Sequence, residues 1–451
     1  MHRNTNNKRS LSGQGLALRL ASYFAGSRFA ARYRLNKPAE RIAYLSTKNG
    51  FKLISGIQKR KARTQATEQP GTTAQLAAPK NSSPLFDLSL SDEQQIIQNT
   101  LHTYAREVFR NQAFAADEQQ QPAELFSAQL SELGLNAFSV PEALGGGAQH
   151  YSPVTNAIIA ETLAWGDMSL AYCSLAPTAV ANALVKWGSP EQKNTLLPRY
   201  LDDPLCVSAI AVQEKQPLFN PHHLRTEAKK TKNGYRLNGQ KTLVPFSGQA
   251  EHYLVAAMLK GRPGLFIVAG DHPALQFSNH NTMGMRAAGN GTLTINNAEL
   301  PHEALLGGEA FLQRPDNYHE FIHAGQLHWC ALAIGTCQAA LDYVIPYCNE
   351  RQAFGEPISH RQSVAFLIAD IAIELESMRL LTWRAASLAE AGKPFIREAY
   401  LAHTLCSEKA MKIATDAVQL LGGHGFTKEH PVERWYRDLR VLACQTSGLH
   451  L

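Results

Sequence analysis

The chain has 451 residues, 44% of them hydrophobic and 18% charged, with a formal net charge of +6. This composition excludes a wholly disordered chain, and the length allows two or three packed domains. No uninterrupted apolar run approaches 18 residues, which argues against a transmembrane helix; the seven scattered cysteines include no CxxC pair and read as buried thiols in a reducing compartment, not a disulfide framework.

The charge is uneven. Residues 1–80 carry 16 Lys and Arg against two acids, Glu40 and Glu68, a net of +14 that leaves −8 for the remainder. This break places a boundary near Asn81, and the Gln-, Thr-, Ala- and Pro-rich stretch from Ala62 to Lys80 reads as a linker. In the arm, Leu16, Leu20, Phe24, Phe29 and Tyr33 are interleaved with Arg19, Arg28, Arg32 and Arg34. Three readings stand open: a helix for an anionic membrane surface, an organellar transit peptide, or a solvated basic tail. The matching locations are the cytoplasm with a peripheral hold on the inner membrane, or a mitochondrion; nucleic acid is not an expected partner.

From Leu90 onward the pattern becomes helical. Ser91-Asp92-Glu93 reads as a cap, and Ile96, Ile97, Leu101, Tyr104 and Val108 recur on one face. Helical signals continue through Ala157–Trp165, Thr178–Trp187 and Glu191–Leu201, broken by Gly145-Gly146-Gly147 and Gly188-Ser189-Pro190. Between Val207 and about Leu305 the texture is β: Tyr253–Met258, Gly264–Ala269 and Thr292–Ile295 are apolar or alternating runs. Long helical patterns return in Ala331–Glu350, Arg361–Ala391 and Glu398–Leu421. Helices, strands and helices in separate blocks predict an α+β chain, not an alternating βαβ nucleotide fold. The expected division is a basic arm and linker over 1–85, a helical domain over 86–206, a β domain over 207–315 and a helical bundle over 316–451.

Four stretches in order carry a resemblance. They are Val140-Pro-Glu-Ala-Leu-Gly-Gly-Gly, Trp187-Gly-Ser-Pro-Glu-Gln-Lys, Arg351-Gln-Ala-Phe-Gly with Gln362, and Gln419-Leu-Leu-Gly-Gly-His-Gly-Phe followed by Pro431-Val-Glu-Arg-Trp-Tyr-Arg-Asp. Over roughly residues 88–446 the chain resembles the acyl-CoA dehydrogenase family. The resemblance implies an N-terminal helical domain, a middle β domain, a C-terminal four-helix bundle, and FAD whose ADP end reaches a neighbouring subunit. It puts Arg351, Phe354, Gln362, Gln419, Gly422, Gly423 and Gly425 on the ADP side. A planar guanidinium pairs well with diphosphate oxygens, and glycine lets backbone approach closely. The competing reading of Gly422-Gly423 is a plain cap on the helix ending at Leu421.

The ring side departs from the family's pattern. The chemistry needs a carboxylate to take the α-proton of an acyl thioester while hydride leaves the β carbon for the flavin. The two family positions for that carboxylate hold Thr446 and Gly325, and Gln326 stands where the family usually has Arg. The loop that helps cover the flavin aligns with Gln213-Glu-Lys-Gln-Pro-Leu-Phe-Asn, and the segment lying over the ring with Leu243-Val244-Pro245. Proline supplies neither N–H nor hydroxyl. The sequence given ends at Leu451, short of the family's usual extension. Two roles follow from the resemblance: an FAD-dependent oxidoreductase acting on acyl-CoA or a related thioester, with an electron-transfer partner and a homo-oligomeric state; or a partner subunit completing the FAD site of a full paralogue. A third role is a flavin-free scaffold at a membrane.

Other patterns read as structure. His319-Glu320-Phe321-Ile322-His323 matches HExxH, yet no third zinc ligand is evident, and the stretch reads as polar residues at a domain junction. Glu320 lies five residues from Gly325 and off its helical face, so it is not the expected base. His424 reads as a packing or solvent residue, Glu433 and Arg437 as a helix-surface pair, and Cys330, Cys337 and Trp383 as core.

Overall fold

A computed structural model describes residues 89–122, 133–201 and 206–445. The basic arm, Thr446 and the residues after it lie outside the described residues. The chain divides into two units, Met1–Ile96 and Ile97–Leu451, and the account below concerns the second.

The first helix, α1 (Asp92–Tyr104), opens on a reciprocal cap. The Ser91 hydroxyl accepts from the Gln94 N–H, and the Gln94 side chain accepts from the Ser91 N–H. A π turn (Ala105–Phe109) leads into α2 (Arg110–Gln119). Helices α3 (Leu135–Ser139), α4 (Pro153–Gly166), α5 (Met168–Trp187) and α6 (Pro190–Leu201) follow. By length and composition α5 could cross a membrane, but all but its last two residues are buried, so it is the core of this layer. Asp167 starts it, accepting from the Leu170 N–H.

Seven strands form the middle sheet: β1 (Ser208–Ala211), β2 (Glu227–Thr231), β3 (Gly234–Val244), β4 (His252–Leu259), β5 (Arg262–Ala269), β6 (Leu275–Asn279) and β7 (Gly291–Leu300). One edge of β4 pairs in parallel with β1 along its first half and with β2 at its end, while β5 runs antiparallel on the other edge. Strand β4 is buried almost throughout, which explains its unbroken apolar run; in β3, Tyr235 and Leu237 point inward and Arg236 and Asn238 outward.

After α7 (Gly308–Gln313) comes α8 (Pro315–Glu350), 36 residues and so about 54 Å long. A short hairpin, β8 (Gln352–Ala353) and β9 (Glu356–Pro357), joins it to α9 (Gln362–Glu390). Then come α10 (Ile396–Leu421) and the short α11 (Val432–Leu439). Helix α8 packs against α10, α9 and α4, tying the bundle to the N-terminal helices. Its buried side includes Trp329, Cys330, Ile334 and Cys337. The observed order is the one expected from periodicity: helices, an antiparallel-dominated sheet, then a helical bundle.

Two expectations need correction. Glu433 and Arg437 are not a surface pair: the Arg437 guanidinium also bonds Asp117 through both terminal nitrogens at 2.9 Å and the Met283 carbonyl at 3.0 Å, clamping α11 to α2 and the loop before β7. Trp383 is half-buried, because its indole N–H reaches Glu161 at 3.2 Å, which already holds Arg379. Cys330 and Cys337 are buried as expected; of the described cysteines only Cys444 is exposed.

Candidate active site

Two cavities bracket the residues singled out by sequence. The larger, about 830 Å³, opens where the end of α8, the β8–β9 hairpin and the end of α10 meet. Arg351, Phe354, Gln419, Gly422 and Gly423 line it, joined by Arg361 and His424. Gln362, the first residue of α9, is exposed and Gly425 is buried, and neither belongs to its lining.

The glycines divide into two kinds. Gly422 ends α10 at φ 57, ψ −133, a region open essentially to glycine alone, and its N–H returns to the Gln419 carbonyl. A methyl group on Gly422 or Gly423 would meet no protein atom within 4 Å, so both face open space. On Gly425 it would lie 2.3 Å from the Val418 carbonyl oxygen, and packing alone requires that glycine. The cap reading and the cavity reading of Gly422 therefore hold together. Phe354 occupies the hairpin tip at φ 57 and is 95% exposed, with the Arg361 guanidinium 5.5 Å from its ring. His424 is not a loose solvent residue: its Nδ1 pairs with the Tyr347 hydroxyl at 2.8 Å, and its ring stacks on His430.

The smaller pocket, about 150 Å³, lies between α5, the end of β3, α8 and the turn after α11. Leu243, Tyr172, Met285, Trp329, Val441 and Gln445 line it. Gln445 immediately precedes Thr446 in sequence, and Gly325 is buried one turn before Trp329 on α8. Leu243 has a left-handed backbone (φ 52) at a register shift between β3 and β7. Val244 and Pro245 behind it are buried.

What pins the loop that starts at Gln213 was missed in the sequence. Glu214 and Lys241, 4% and 0% exposed, form an ion pair at 2.7 Å. The Glu214 carboxylate also accepts from the backbone N–H groups of Arg225 and Thr226 and from the Thr226 hydroxyl. Burial pulls Lys241 down to about 8 against the opposing pull of Glu214. Burial works to raise the Glu214 carboxyl, but Lys241 and the three donors outweigh it and hold it below its ordinary value. The Gln213 side-chain oxygen is buried without a partner.

The second group missed is Asp438, 1% exposed, one oxygen of which accepts from the Met285 N–H at 2.6 Å while the other is unpartnered. Burial, then the nearby Asp167, push its carboxyl up to about 8; the Met285 N–H, Arg434 and Arg437 oppose this. The third is His403, whose ring bonds the Gln445 backbone and whose Nε2 is buried without a partner.

The HExxH stretch makes no metal site. His319 stacks on His222 with centroids 4.2 Å apart, His323 bonds the Gln326 side chain at 2.7 Å, and Glu320 is paired with Lys186 at 2.8 Å. No metal-ligand cluster of three such side chains occurs among the described residues.

Comparison with known proteins adds the family. Models of the acyl-CoA dehydrogenase N-terminal, middle and C-terminal domains match residues 91–203, 209–298 and 318–445. The short/branched chain specific acyl-CoA dehydrogenase, mitochondrial, of Bos taurus is 31% identical over 392 residues, 84% of this chain and 89% of that protein. This chain belongs to the acyl-CoA dehydrogenase family. Cyclohex-1-ene-1-carbonyl-CoA dehydrogenase of Geobacter metallireducens is 32% identical, covering 79% of this chain and 95% of its own length. Among solved structures, butyryl-CoA dehydrogenase from Megasphaera elsdenii superposes with a TM-score of 0.74 at 27% identity, over 80% of this chain and 96% of that one. The family is one of FAD-dependent oxidoreductases of acyl-CoA metabolism.

Proposed function

We propose that this chain binds FAD and acts as an oxidoreductase on an acyl thioester, with the family's base missing from both of its usual positions. The observation that carries the reading is the larger cavity, which gathers five of the seven ADP-side residues chosen from sequence. Its character suits that half of the cofactor. Arg351 presents an exposed guanidinium for diphosphate oxygens, Gly422 and Gly423 leave backbone open to close approach, and Phe354 offers an exposed ring face for stacking. Bound FAD would supply the acceptor for the β-hydride. Gln213, Leu243, Val244 and Pro245 would face its ring. At neutral pH neither Thr446 nor Gly325 can take the α-proton.

The contrast between the two cavities favours a second reading, in which the chain lends its ADP side to a complete paralogue. An apolar stripe supports assembly with another copy or with such a relative: Phe366, Ile373 and Leu380 recur every seven residues on α9, at 59%, 64% and 43% exposure. The basic segment 1–80 is proposed to hold the protein at an anionic membrane or to direct it to an organelle, and an electron-transfer partner is proposed by family analogy. Liposome binding lost on removing residues 1–80 would support the membrane role.

The test of the main reading is a visible absorption spectrum of the purified protein before and after adding FAD. A bound-flavin band is expected. A protein that stays colourless alone and takes up FAD only when mixed with a paralogue would replace the first reading by the second.

A further inference from the structure

The smaller pocket bears on which thioester fits, and the inference rests on the thioester reading above. It lies beside both base positions, since Gln445 adjoins Thr446 and Trp329 follows Gly325 by one helical turn on the same face. Its back wall is an aromatic pair: Tyr172 on α5 and Trp329 on α8, 1% and 0% exposed, with ring centroids 4.7 Å apart. Two packed helices present them, so neither ring can leave without disturbing the core. Leu243, Met285 and Val441 make apolar side walls, and Thr282, Asn290, Arg437 and Arg440 complete the lining. A volume of about 150 Å³ matches a cavity that holds one benzene molecule, room for about six carbon atoms.

We propose that Tyr172 and Trp329 set an acyl-length limit, so that this chain takes thioesters of up to about six acyl carbons and rejects longer ones. Both rings are specificity residues. Met283, Arg440 and Cys444, the exposed residues of the lining, mark the mouth, where the thioester end would sit.

Titration calorimetry of the full-length protein with butyryl-, hexanoyl-, octanoyl- and dodecanoyl-CoA tests this. Each added methylene should tighten binding about fourfold up to hexanoyl-CoA. Octanoyl-CoA should then bind about tenfold more weakly than hexanoyl-CoA, because a filled pocket penalises overpacking. Trp329→Leu shortens the back wall and should reverse that order. Tyr172→Leu opens it from the facing helix and serves if Trp329→Leu does not fold. Tightening that continues to dodecanoyl-CoA in the unaltered protein, or an unchanged length profile in whichever variant folds, overturns the limit. Failure to bind any of the four thioesters overturns the thioester reading, and the limit with it.

Discussion

The two cavities are bounded by different kinds of matter. Both are lined by two arginines, Arg351 and Arg361 in the larger and Arg437 and Arg440 in the smaller, but helix-end backbone and the exposed Phe354 border the larger, whereas the buried, mutually packed rings of Tyr172 and Trp329 close the smaller. The residues around the larger cavity do a second job: Gly422 ends α10, and Arg351 caps α8 with an N–H to the Tyr347 carbonyl. Positions with two duties are costly to change. By contrast Gln213, Leu243 and Pro245, where the sequence reads as departing from the family's pattern, end no helix.

Substitutions can break or sharpen that contrast. The largest effect is expected from Thr446→Glu in FAD-loaded protein, which should raise acyl-CoA-dependent dye reduction by about 10²- to 10⁴-fold, the span a positioned base contributes. An unchanged rate would transfer the deficit to Leu243, Val244 and Pro245. Lys241→Met should destabilise the fold by about 3–5 kcal/mol in denaturant titration, because it strands the Glu214 carboxylate in the interior. Glu214→Gln combined with Lys241→Met should cost much less. Arg351→Ala should weaken ADP binding about 10- to 100-fold by calorimetry, the worth of a charge-assisted contact, whereas Leu243→Trp should leave ADP affinity unchanged. Equal losses in both would abolish the distinction between the halves. Gly422→Ala should cost about 1–3 kcal/mol through backbone strain, while Gly423→Ala, in open space with φ outside the left-handed region, should keep stability and lose ADP affinity.

A further effect concerns pH. Asp438 holds its proton up to about 8 in the folded chain, whereas the unfolded chain releases it near 3.8. Between those values the folded state binds the extra proton, so stability falls as pH rises through that window. Asp438→Asn keeps an acceptor for the Met285 N–H and removes this slope, giving a melting temperature higher by a few degrees at pH 8 and unchanged at pH 4.

Much of this was legible in the chain. The 3.6-residue and alternating patterns located the helices and strands, since burial of one face dictates spacing. The glycine pair after Leu421 and the arginine after α8 were readable because helix ends are punctuated locally. The Glu214–Lys241 pin was hidden in a stretch that looked eroded, as pairing across 27 positions leaves no local signature. Arg437 was misread for the same reason: its partner at i−4 is visible in sequence, whereas Asp117 is 320 positions away. Tyr172 and Trp329 gave the ordinary signal of core aromatics, and only their convergence on one pocket distinguishes them.

The Glu214–Lys241 pin also has a meaning for modularity. Glu214 at the start of the loop grips Arg225 and Thr226 at its finish, so the excursion from Lys215 to Leu224 begins and ends at one fastened point. Pro221 and His222 inside it are fastened again to α8, by the Tyr318 hydroxyl donating to the Pro221 carbonyl at 2.9 Å and by the His222–His319 stack. Its ends are fixed by the sheet and its middle by the bundle, so a sequence spliced in between Glu214 and Arg225 keeps its place only if it keeps both holds.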